Sequence, residues 1–201
     1  MIYVSNLHSW NAAEDNPKEK PKLEFADPLF KRRLSQVTRM TILVLHDLIE
    51  EVPESKDYKQ VFVSFRGEIE REFTINQGLI EDCEILPAGF SLSVFNTPIA
   101  AASLSLQMKG GYSVIYPSKG DFSSAFAASC APVLASSEEK VIFVYADEYV
   151  PDAYGKLQPE NNKGMAFACI LSATAGDNSV SIENVMDFAK SPLDFIKKVK
   201  G

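Results

Sequence analysis

The chain has 201 residues, of which 46% are hydrophobic and 23% charged. Those proportions exclude a disordered chain and suffice for one domain with a sizeable core. The formal net charge of −7 excludes a general nucleic-acid binder, because an acidic surface repels a phosphate backbone.

Ile2 to Ser5 is a short apolar run and reads as a first strand. Residues 11–28 are polar and hold Pro17, Pro21 and Pro28, which makes them a surface loop. From Phe30 to Val52 apolar residues recur close to every 3.6 positions (Leu34, Val37, Met40, Val44, Leu45, Leu48), the spacing of one helical face. Lys31, Arg32, Arg33, Arg39, Asp47, Glu50 and Glu51 fill the other face, and Pro53 stops the helix. Val61 to Phe65 is β-branched and aromatic and predicts a strand, broken by Gly67; Glu68 to Asp82 predicts a second helix.

Phe90 to Val94 reads as extended. Thr97 is placed as N-cap and Pro98 at the first helical position of a helix reaching about Lys109, where Gly110 and Gly111 stop it. Tyr112 to Tyr116 predicts a strand. Ser118-Lys119-Gly120-Asp121 has capping-box form with Ser118 as the cap, and opens a helix to about Ser137 that Pro132 should kink or break. Val141 to Ala146 is a continuous apolar strand of the kind buried on both faces. Pro151 to Asn162 is a polar loop, Met165 to Ala173 and Ser179 to Val185 are further strands, and Pro192 to Val199 is a last helix. Strands alternating with helices predict a single α/β domain over residues 1–201, with a mostly parallel sheet, helices on both sides and antiparallel strands at the end.

Residues 97–108 and 122–137 contain no charged residue and are rich in alanine. A helix apolar all round is buried all round, and a single sheet covers only one side of each. A partner is therefore expected over them; the plainer alternative is that their serines face water.

Cys83, Cys130 and Cys169 are odd in number and form no CxxC, so neither a disulfide framework nor a zinc site is expected. Together with an N-terminus lacking a basic stretch before an apolar run, and with no apolar run near the length of a membrane span, this predicts a cytoplasmic chain without metal or cofactor.

In this order and spacing, KRRLSQVTRMTILVLHDLIE (31–50), VFVSFRGEIE (61–70), Asn96 followed by IAAASLSLQMKGG (99–111), YSVIY (112–116), VIFVYADE (141–148) and GMAFACILSAT (164–174) resemble the N-terminal half of a β-ketoacyl synthase. The resemblance is to short free-standing members of the thiolase-like superfamily that accompany aryl-polyene and related type II polyketide or fatty-acid pathways. It implies a thiolase-like half-fold. It also implies a nucleophilic cysteine at the turn after the third strand, where a helix N-terminus would lower its pKa and free N–H groups would hold an oxyanion. That position falls at Lys119, with no cysteine nearby; Cys130 lies further on, inside the helix, and reads as packing.

The histidines such enzymes take from their C-terminal half have no counterpart, since the only histidines are His8 and His46. The resemblance therefore implies a subunit leaning away from catalysis. It would pair with itself or with a ketosynthase-like protein, and would meet an acyl carrier protein through Lys31, Arg32, Arg33 and Arg39. The plainer reading of that cluster is a solvated helix face. The alternative is acyl transfer or thioester hydrolysis by Ser118 at the elbow. Asp147 and Glu148 are adjacent on a strand, point to opposite faces, and imply no shared acid/base site.

Overall fold

The structure is a computed structural model that describes residues 1–84, 87–155 and 162–201. A sheet of six strands runs through it: β1 (Ile2–Asn11), β2 (Lys59–Val63), β3 (Tyr112–Ile115), β4 (Lys140–Asp147), β5 (Met165–Ser172) and β6 (Val180–Ile182). Their spatial order is β3-β2-β4-β5-β1-β6. β2 pairs in parallel with β3 and β4, while β5 is antiparallel to β4 and β1, and β6 is antiparallel to β1. β1 to β4 thus run one way, and the strands nearest the C-terminus reverse, as the sequence predicts.

Alternation along the strands sends successive side chains to opposite faces. Val141, Phe143 and Tyr145 of β4 join Phe167, Cys169 and Leu171 of β5 on one face. Ile142, Val144 and Ala146 join Ala166, Ala168 and Ile170 on the other. The first face is covered by α6 (Phe122–Leu134), α7 (Val185–Phe188) and α8 (Pro192–Lys200). Its centre is aromatic: Phe195 stacks on Phe167 with centroids 5.0 Å apart and meets Phe126 edge-on at 5.1 Å. The second face is aliphatic and is covered by α2 (Gln36–Glu51) and α5 (Thr97–Ser105). The helices therefore lie on both sides of the sheet.

Local chemistry sets the ends of these elements. Ser35 caps α2 by accepting from the Thr38 N–H at 3.1 Å. A short helix α1 (Pro28–Arg32), capped by Asp27, precedes it, so the single periodic stretch from Phe30 to Val52 is two helices. Pro53 ends α2 by opening a 3-10 turn over Pro53–Asp57. Ser191 caps α8, whose Phe195 and Ile196 are buried while its lysines face out.

Four further readings are corrected. β1 reaches Asn11, well past Ser5, through a bulge between Ser5 and His8. The stretch from Phe90 to Val94 is not extended: α4 (Pro87–Phe90) occupies its start and a turn follows. The cap of α5 is Asn96, not Thr97, and α5 ends at Ser105 rather than near Lys109. The cap of α6 is Asp121, not Ser118; the helix ends at Leu134, and Pro132 is accommodated in its last turn. Of the loop expected over residues 151–162, residues 156–161 lie outside the described residues, and Asp152–Tyr154 form a 3-10 turn.

Candidate functional site

The elbow after β3 is built from a left-handed turn. Ser118–Gly120 form a single 3-10 turn in which Lys119 has φ +54° and Gly120 φ +70°. Ser118 and Lys119 are exposed. No side-chain hydrogen bond reaches Ser118 among the described residues, and neither histidine is near: His8 Nε2 meets Glu51 Oε2 at 2.5 Å, and His46 stacks on Phe25 at 3.6 Å. Asp121 accepts from the Ser123 N–H at 3.0 Å and from the Ser124 hydroxyl. The Ser124 hydroxyl, followed by the backbone N–H groups, holds the Asp121 carboxyl below the usual range. The first turn of α6 is thus already occupied by a fixed anion of the chain itself, at the place where a transition-state oxyanion would need free donors.

Cys130 lies inside α6 at 0% exposure, and burial pushes its thiol up to about 12. Cys169 faces the same core and is raised likewise by burial. Neither supplies a thiolate near neutral pH.

The four basic residues of the α1–α2 region divide into two pairs. Lys31 Nζ donates to the Leu23 carbonyl at 3.1 Å, and Arg39 donates to the carbonyls of Lys31 at 2.6 Å and Pro21 at 3.4 Å. Lys31 pins the loop of residues 12–27 to α1, and Arg39 pins both to α2. Arg32 and Arg33 are exposed and take no part in that anchoring.

The C-terminal end of β4 holds two buried carboxylates with separate tasks, as their opposite orientation predicts. Asp147 accepts from Ser64 Oγ at 2.7 Å, from the N–H groups of Phe65 and Arg66 at 2.9 and 3.1 Å, and from the Tyr145 hydroxyl at 2.6 Å. It fixes the turn that follows β2. Burial raises its pKa, against the pull of the Arg66 guanidinium.

Glu148 accepts from the Val37 N–H of α2 at 3.3 Å and from the Glu70 N–H of α3 (Ile69–Glu81) at 3.0 Å, so one carboxyl serves the starts of two helices. Beside it Glu68, also buried, accepts from Ser35 at 2.7 Å, Thr38 at 2.5 Å and Arg71 Nε at 3.1 Å. Burial first, and then the charge of Glu68, push Glu148 up to about 8. This cluster was not legible as a site, because Ser35, Thr38, Glu68 and Glu148 come from three separated segments. Its hydrogen bonds are all internal to the fold.

The two uncharged helices lie on opposite faces of the sheet, α5 on the aliphatic side and α6 on the aromatic side. Each buries one stripe and leaves the other open. α5 exposes Leu104 at 82%, and α6 exposes Ala128, Ala131 and Leu134, the last at 51%. β3 pairs only with β2, so its outer edge is unpaired among the described strands, with Tyr112 and Tyr116 exposed beside it.

Among the described residues no group of three His, Cys, Asp or Glu side chains converges as a metal site, and no helix is long and apolar enough to cross a membrane.

A mixed sheet with helix layers on both faces, and an elbow leading into an uncharged helix, defines an α/β protein. The model of the β-ketoacyl synthase N-terminal domain matches residues 7–194, and the chain belongs to that family. No curated protein matches it in sequence.

Solved structures similar to it include a chain of the ketosynthase ApeO in complex with its chain length factor ApeC from Xenorhabdus doucetiae. That match has a TM-score of 0.66 and 20% identity, and covers 86% of this chain and 79% of that one. The ishigamide ketosynthase/chain length factor matches with a TM-score of 0.59 and 11% identity over 75% of this chain and 47% of that one. AbyA1, a tetronic acid condensing enzyme, matches with a TM-score of 0.52 and 9% identity over 92% and 56%. The chain spans about half the length of these last two. At such identities the likeness is one of fold.

Proposed function

We propose that this chain is a non-catalytic ketosynthase-like subunit. It pairs with a ketosynthase-like protein in a cytoplasmic fatty-acid or polyketide pathway, aryl-polyene assembly included, and meets an acyl carrier protein there. The observation that carries the reading is the outer face of α6, where Ala128, Ala131 and Leu134 are exposed on a helix without a single charge. Small side chains let a second layer approach closely, and an uncharged stripe loses little solvation when covered. Two of the similar structures are of ketosynthases together with chain length factors. The non-catalytic part of the reading is supported by Lys119 at the elbow, by Ser118 without a bonded base, and by Asp121 on the first turn of α6. For carrier-protein docking, Arg32 and Arg33 are the two cations of the four whose side chains are not engaged in anchoring the loop.

The test is co-expression with the ketosynthase of the same gene neighbourhood, followed by size measurement of the purified material. A stable complex is expected, and Ala128→Glu or Leu134→Glu should dissolve it while leaving the free chain folded, since both sites are exposed. A complex indifferent to both substitutions, or a chain that stays monomeric beside the ketosynthase, refutes the pairing. The thioester-cleaving alternative is checked in the same preparation. Thiol release from acyl thioesters that Ser118→Ala abolishes would overturn the non-catalytic reading.

A further inference from the structure

Between β2 and α5 the chain makes an excursion that starts at Gly67 and closes at Phe95. The two points touch: a Cβ on Gly67, whose φ is +58°, would sit 2.6 Å from the Phe95 ring. The excursion between them carries α3 and α4, and neither helix has a buried residue. Between this lobe and the α1–α2 region lies an open cleft of about 940 Å³. No residue of the elbow or of α6 lines it.

The cleft has a basic end. Lys20, Arg32, Arg33 and Arg71 line it close to Leu34 and Ser35. Arg71 is committed, its Nε to Glu68 and its Nη2 to the Arg33 carbonyl at 2.8 Å. The charged groups of Lys20, Arg32 and Arg33 have no hydrogen-bond or ion-pair partner among the described residues. Three unpaired cations facing one cleft, in a chain of net charge −7, set up a local field that opposes the charge of the rest. Glu70 at this end is drawn toward Lys18, 3.9 Å away. The acids Asp82 and Glu84 lie at the far end of α3, a helix of 13 residues and so about 20 Å long. The intervening wall is uncharged and mostly apolar, low in relief: Leu34, Ile75 and Leu92 contribute side chains, Gly78, Ala88 and Gly89 contribute almost none, and Thr74 and Ser91 add two hydroxyls.

We infer that this cleft binds an amphiphilic anion, with a carboxylate or phosphate head held by Arg32 and Arg33 and a short hydrocarbon tail against Leu34, Ile75 and Leu92. The inference concerns the free chain; it is independent of pairing through α6 and competes with carrier-protein docking for Arg32 and Arg33.

Calorimetry on the purified protein, with octyl phosphate and octanoate each below its micelle concentration, tests it and tells the two heads apart. Saturable equimolar binding of at least one is expected. Inorganic phosphate, lacking the tail, should bind at least about tenfold more weakly, since burying even a few methylenes is worth that factor. Replacing both exposed arginines, Arg32→Ser with Arg33→Ser, should weaken the amphiphile by about tenfold or more, the loss expected when charge-assisted hydrogen bonds are removed. Gly78→Leu, which fills the apolar wall and improves helix propensity, should abolish the advantage of the octyl compounds over phosphate. Equal affinity for phosphate and octyl phosphate overturns the inference, as does binding that ignores the arginine pair. So does a chain that takes an acidic carrier protein through those arginines and no amphiphile at all.

Discussion

Glu148 accepts two backbone N–H bonds and yet titrates near 8, because removal from water and the neighbouring Glu68 outweigh those bonds. An acid whose folded pKa is raised holds a proton that the unfolded chain has already lost. Stability from that proton is complete below the ordinary value of 4.5, declines as pH rises, and is gone above about 8. Glu148→Gln keeps an acceptor for one helix start and never ionises. Denaturant unfolding at about pH 5 and about pH 8.5 should show wild type losing on the order of a few kcal/mol more than the variant across that interval. Parallel pH profiles for the two proteins would refute the assignment. Lys119 presents a different lesson. The sequence marks it only as the residue at the nucleophile position; that it takes a left-handed conformation follows from the turn it shares with Gly120, and that turn moves the helix cap from Ser118 to Asp121.

The link from α5 to β3 depends on two adjacent glycines with different reasons to be glycine. At Gly110 a Cβ would lie 2.2 Å from the carbonyl carbon and oxygen of Tyr58, so the backbones themselves touch. At Gly111 there is open space, and only the φ of +72° disfavours a side chain. Thermal unfolding should therefore rank Gly110→Ala as the more harmful, at about 3 kcal/mol or more, with Gly111→Ala costing about 1 kcal/mol. Equal losses would show that strain, not close approach, governs both.

Elements with a strong period were legible for physical reasons. α2 buries Val37, Met40, Val44, Leu45 and Leu48 along one spacing, and β4 is apolar from Val141 to Ala146 because both of its faces are covered. β1 was read short because the bulge at Asn6, with φ +51°, interrupts the alternation that identifies a strand. α4 is a single turn of four residues, too short for any period to register. The Glu148 cluster and the basic cleft were hidden for a third reason: both exist only after distant segments meet.

Across the whole molecule, packing is uneven. The sheet and its layers hold two continuous cores, one aromatic and one aliphatic, whereas the excursion from Glu68 to Phe95 is joined to them chiefly by polar contacts. Local opening free energies follow buried apolar contact. Native-state hydrogen exchange should accordingly find α3 exchanging through local openings well before β4, β5 and α6; protection of α3 equal to that of β4 would contradict this. β1 carries a further implication. It lies between β5 and β6, so Tyr3 registers with Ser172 and Val4 with Val180. During synthesis β1 must wait, unpaired, for partners more than 150 residues further along the chain, and loop-closure entropy makes such a pairing slow. Until then the Ile2 and Val4 side chains and the aromatic face of β5 remain open to water, so this is the interval in which a growing chain most depends on chaperones to stay out of aggregates.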